Sequence, residues 1–83
     1  MDQILVNIYV LTIDDNFDMF IPINENVSNL ITKIQKSIYE LSNEEYVINP
    51  NAVLYNGIDG KIINPNNIVK FSGLTNGSRL LLV

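Results

Sequence analysis

The sequence predicts an α+β fold, one sheet covered on one face by one helix, on three observations. Two alternating apolar runs, Ile4 to Leu11 and Met19 to Ile23, flank the polar turn Asp14-Asp15-Asn16, the pattern of an antiparallel hairpin. Val27, Leu30, Ile31, Ile34, Ile38 and Leu41 then recur at three- and four-residue spacing, which is the stripe of an amphipathic helix. Short apolar runs return after it between Asn, Gly and Pro turns and end on Ser78 to Val83. A helix with a single apolar stripe needs a sheet to cover, and the hairpin with the later strands supplies one. The order ββαββ makes a roll of β-grasp type, a mixed sheet with its first and last strands parallel at the centre.

Each element follows from its residues. In the first strand Ile4, Val6, Ile8 and Val10 share one face, and Leu5, Asn7, Tyr9 and Leu11 the other; the even set, wholly β-branched, is expected inside. Met19, Ile21 and Ile23 face together, and Pro22 cannot donate to a ladder, so the second strand belongs at a sheet edge. Asn26 is the expected helix N-cap. Ser28, Asn29, Lys33, Gln35, Lys36 and Glu40 fall on the wet side, and the helix stops near Ser42-Asn43. Residues 43–51 read as a loop closed by Asn49-Pro50-Asn51. Two short strands are expected, Ala52 to Tyr55 and Lys61 to Ile63, around the turn Asn56-Gly57-Ile58-Asp59-Gly60. Ile68 to Leu74 holds one helical turn, and Asn76-Gly77 introduces the last strand.

Eighty-three residues make one domain, expected to span 1–83. The chain has no cysteine and no histidine. That removes disulfides, thiolate metal sites, iron–sulfur clusters and the commonest general base. Five basic residues against nine acidic ones give a net charge of −4, a poor match to nucleic acid or to an anionic membrane surface. MDQILVNIYV starts acidic and alternates, unlike a signal peptide, and no apolar run approaches the roughly 20 residues of a membrane span. A cytoplasmic protein without direct membrane insertion is expected.

No catalytic constellation assembles. Asp14, Asn16, Asp18 and Glu25 match the first, third, fifth and twelfth positions of a calcium loop, but Met19 stands where the sharp turn needs glycine. A solvated hairpin turn is the better reading. Glu44-Glu45 lies in a polar loop with no apolar shell to raise a pKa, and the serines have no histidine to activate them. Gly57, Gly60, Gly73 and Gly77 have no phosphate-cradling spacing and read as turn residues. No cofactor, metal or enzymatic activity is expected.

The outward face of the sheet is the stronger lead. With Ile4, Val6 and Ile8 inside, Tyr9 and Leu11 point out; with Leu80 and Leu82 inside, Leu81 and Val83 point out. In the third strand Val53 and Tyr55 are expected inside and Leu54 outside. Contiguous exposed apolar side chains mark interaction sites, so Leu54, Leu81 and Val83 with Tyr9 and Leu11, and Arg79 at the rim, form the expected protein-binding surface.

The helix segment VSNLITKIQ resembles that of ubiquitin, including the Lys-Ile-Gln at 33–35, and Leu80-X-Leu82 sits where ubiquitin's last strand packs. On that resemblance Leu54 and Val83 fall on members of ubiquitin's apolar recognition patch. A narrower set, Asp18-Met-Phe-Ile-Pro, Val27-Ser-Asn-Leu-Ile31 and Gly73-Leu-Thr-Asn-Gly-Ser-Arg-Leu80, is similar to the YukD/EsaB family of small bacterial ubiquitin-like proteins associated with type VII (WXG-motif) secretion. The resemblance implies a non-conjugated accessory protein that binds a component of the secretion machine. A ubiquitin-like modifier or sulfur carrier is the alternative, but it needs a C-terminal Gly-Gly, whereas the last strand is expected to run to Val83. A generic self-associating β-grasp domain is the other, and oligomeric state is left open.

Overall fold

The computed structural model describes residues 2–83; Met1, the first residue of the expected domain, lies outside the described residues. The hairpin forms as its alternation requires. Strand β1 (Gln3–Val10) pairs antiparallel with β2 (Asp15–Pro22), placing Ile4 opposite Ile21, Val6 opposite Met19 and Ile8 opposite Phe17. The chain reverses through a 3₁₀ turn at Leu11–Ile13, closed by Asp14 in the left-handed conformation with φ 49°. Asp tolerates that region because its short polar side chain bonds locally.

Helix α1 (Val27–Leu41) starts where Asn26 accepts a hydrogen bond from the Ser28 amide at 2.8 Å. Its buried stripe is Val27, Leu30, Ile31, Ile34 and Ile38, packed on the inner face of the sheet beside Val6, Ile8, Val10, Ile21, Leu80 and Leu82. Strands β3 (Leu54–Asn56) and β4 (Ser78–Leu82) complete a four-stranded sheet in the order β2-β1-β4-β3. The first and last strands are parallel neighbours at the centre, and β2 is the edge that Pro22 demands.

Four expectations are corrected. Leu54 points inward and is 0 % exposed, because its antiparallel pairing opposite Leu82 fixes the phase of β3; Tyr55 takes the outward position opposite Leu81. Leu41 is 59 % exposed, since the helix ends at it. Gln35 is buried at 4 % exposure: four residues after Ile31 and three before Ile38, it lies on the stripe and not opposite it. The segment Lys61 to Ile63 makes one bridge, Ile62 to Tyr55, in place of a strand. Turn residues on both sides, Gly60 and Asn64-Pro65, leave no length for a ladder.

Gln35 also explains how the loop at 43–51 is held. Its side-chain carbonyl accepts from the Tyr46 hydroxyl and from the Asn49 amide, each at 2.7 Å, while its amide donates to the Asn49 carbonyl at 3.0 Å. Tyr46 is thereby drawn into the core at 3 % exposure. Both polar atoms of this buried amide are thereby partnered, and the loop is tied to the helix on its way to Val53.

Candidate functional site: the outer face of the sheet

The face turned away from α1 is set by strand register, and it falls into bands. One row runs across all four strands: Asn16, Tyr9, Leu81 and Tyr55. Val83 lies beyond Leu81 and exchanges two 3.0 Å backbone hydrogen bonds with Val53, which extends the apolar end of this row. The next row is polar: Asp18, Asn7 and Arg79. A third row holds Leu5 and Phe20, and Phe20 is 64 % exposed.

Tyr55, Asn56, Gly57, Gly60, Leu81 and Val83 line a shallow, mostly apolar depression of about 350 Å³. Beside it lies a depression of mixed character of about 620 Å³, where Asn7, Asn16, Asp18 and Arg79 supply the polar groups and Tyr9, Gly57, Leu80 and Leu81 the rest. Gly57 lines both depressions, and the space beside it is tight for any side chain. Its N–H donates to the Arg79 carbonyl at 2.7 Å, and a Cβ there would stand 3.0 Å from that carbonyl oxygen and 3.2 Å from the Arg79 Cβ.

The polar row is pre-ordered. The Asn7 side-chain amide donates to Asn16 at 3.1 Å and to Asp18 at 2.9 Å. The Tyr9 hydroxyl donates to the Asp14 carboxylate, and this hydrogen bond, with some desolvation and the carboxylate's charge, raises the phenol above its ordinary pKa of 10.0. Tyr9 therefore stays a neutral, oriented ring. Arg79 makes no ion pair among the described residues; the one present joins Lys33 to Glu25 at 2.6 Å.

The structure thus brings together Tyr9, Leu81, Val83 and Arg79 on one face and excludes two other expected members. Leu54 belongs to the core and has no side chain to offer a partner. Leu11 leaves the strand at the 3₁₀ turn and lines neither depression. Tyr55 and Val53 are the members that sequence reasoning missed. The run Ala-Val-Leu-Tyr is apolar throughout, so alternation gives it no phase; only the ladder to β4 does. Asp14, Asn16 and Asp18 are spread along a turn and an extended strand, and no group of three or more metal-ligating side chains gathers among the described residues.

No family model matches the chain, and no curated protein matches its sequence. Solved structures do. The ubiquitin-like domain of the Mycobacterium tuberculosis type VII secretion system protein ECCD1 superposes with a TM-score of 0.73 at 15% identity, covering 100% of this chain and 99% of that one. The N-terminal ubiquitin-like domain of the 4931431F19Rik protein gives 0.68 at 24% identity, covering 99% and 74%. The fold is the ubiquitin-like β-grasp. A chain of a toluene 4-monooxygenase complex also matches, with a TM-score of 0.77 at 11% identity and coverage of 98% and 96%, so the fold alone does not select among functions. No helix among the described residues is long and apolar enough to cross a membrane.

Proposed function

We propose that this chain is a non-conjugated, cytoplasmic accessory protein of a bacterial type VII (WXG-motif) secretion system, acting as one domain over 1–83 and binding a protein component of that machine. The observation that carries the reading is the row Tyr9–Leu81–Tyr55 with Val83, an apolar strip on a rigid sheet bordered by Asp18, Asn7 and Arg79. A central aromatic and aliphatic strip with a polar rim is the anatomy of a protein interface. Two tyrosines with few rotatable bonds lose little entropy on docking, and such side chains carry a large share of binding energy. The three sequence segments similar to YukD/EsaB proteins and the likeness in fold to the ECCD1 domain support the choice of machine.

The surface is tested by Leu81→Asp. Leu81 is half-buried between the two tyrosines, so the charge is placed in the middle of the strip with solvent still in reach. The variant is expected to keep its fold, seen by circular dichroism, and to lose the partner that wild type retains in pull-downs from the native host. Equal recovery of that partner by the two proteins would show that docking uses another surface.

A further inference from the structure

Strand β2 presents an open edge. Antiparallel pairing directs the backbone groups of alternate residues to opposite sides. Ile23 donates its N–H toward β1, to the Asp2 carbonyl at 3.0 Å, which by alternation gives Ile21, Met19 and Phe17 to β1. Asp18 and Phe20 therefore turn their N–H and C=O groups away from the sheet, together with the Pro22 carbonyl. Beyond Pro22 the chain is covered, because Lys70 donates to the Ile23 carbonyl at 2.9 Å and Val69 to the Glu25 carbonyl at 2.8 Å. Among the described residues no strand lies along Asn16 to Phe20.

The side chains beside this edge define what would fit it. On the helix side Phe17 and Met19 are only partly buried against the core. On the outer side Asp18 is exposed and Phe20 projects into solvent. Residues 14–25 carry Asp14, Asp15, Asp18 and Glu25 and no basic residue. A second copy would bring two such acidic strands together, and in the register that centres on Asp18 it would set that carboxylate against its own twin; like charges directly opposite are destabilising.

The geometry points to strand addition at β2: an extended segment of another protein pairs with the Asp18 and Phe20 backbone, covers Phe17 and Met19 with apolar side chains, and sets lysine or arginine beside Asp18. Main-chain hydrogen bonds to an exposed edge supply affinity, and alternate side chains supply selectivity. This edge lies two strands away from Leu81, so the inference does not depend on the docking strip proposed above.

Amide hydrogen exchange on the whole chain tests it, with two capped peptide probes, one alternating valine with lysine and one alternating valine with glutamate. The lysine peptide is expected to slow exchange at Asp18 and Phe20 by about tenfold or more, and to bind roughly five- to tenfold more tightly than the glutamate peptide. Phe20→Pro removes an edge donor on the side where Pro22 is already accommodated, and abolishes binding. Should that variant fail to fold, Asp18→Lys decides the matter, because it reverses the peptide preference. Unchanged exchange at Asp18 and Phe20, equal affinity for the two peptides, an unchanged preference in Asp18→Lys, or changes confined to Tyr9, Tyr55 and Leu81 would overturn the proposal. So would sedimentation showing that the chain alone already pairs through this edge.

Discussion

Gln35→Leu probes the buried amide that ties the 43–51 loop to the helix. Leucine has similar bulk and suits the apolar stripe, so the change removes polar partners without opening a cavity. Three hydrogen bonds are lost. The two to Asn49 are part-buried, water replaces them, and together they are worth about 1–2 kcal/mol. The third leaves the Tyr46 hydroxyl without an acceptor at 3 % exposure, which costs about 1–2 kcal/mol more. Against a total of roughly 4–12 kcal/mol for a chain of this size, the sum of about 2–4 kcal/mol is severe. With a urea dependence of about 1 kcal/mol per molar, the unfolding midpoint should fall by about 2–4 M. Adding Tyr46→Phe to Gln35→Leu removes the stranded hydroxyl, and the double variant should regain about 1 kcal/mol over Gln35→Leu alone. Because the loop leads straight into Val53 and Tyr55, their amides should also exchange faster in Gln35→Leu. A midpoint within about 0.5 M of wild type, or no recovery in the double variant, would refute the reasoning.

Other consequences follow from single contacts. Gly57→Ala places a methyl 3.0 Å from the Arg79 carbonyl oxygen; strand separation there must increase, and thermal unfolding should register a loss of about 1–3 kcal/mol. Burial raises the Tyr46 phenol above its ordinary pKa of 10.0. Its stabilising contribution is thus complete below pH about 10 and is lost as pH rises through the elevated folded value. Denaturant midpoints should decline above pH about 10, and Tyr46→Phe, less stable at neutral pH, should show a shallower alkaline decline.

How much was legible in the sequence depended on whether a segment carried its own phase. Ile4 to Val10 alternate, Val27 to Ile38 repeat at helical spacing, and Pro22 marks an edge; each placed its element and face correctly. Leu80 and Leu82 were separable from Leu81 for the same reason. The run from Ala52 to Tyr55 has no polar position to set its phase, so only long-range pairing opposite Leu82 decides that Leu54 is core and Tyr55 is surface. Gln35 was legible in principle. Its helical position lies on the stripe, and polarity alone suggested otherwise; a buried polar residue there required a partner, which came from Tyr46 in a loop with no periodicity. Leu11 was misplaced because the strand gives way to a 3₁₀ turn one residue earlier than its apolar run suggests.

The most direct test of the docking strip is complementation of export. In a host strain deleted for this gene, secretion of WXG-motif proteins is measured after restoring wild type, Leu81→Asp, or Phe71→Asp, whose position is exposed in the 3₁₀ turn Val69–Phe71 and lines neither depression of the outer face. Wild type and Phe71→Asp should restore export, and Leu81→Asp, folded and at equal abundance, should not. Full restoration by Leu81→Asp would contradict the account.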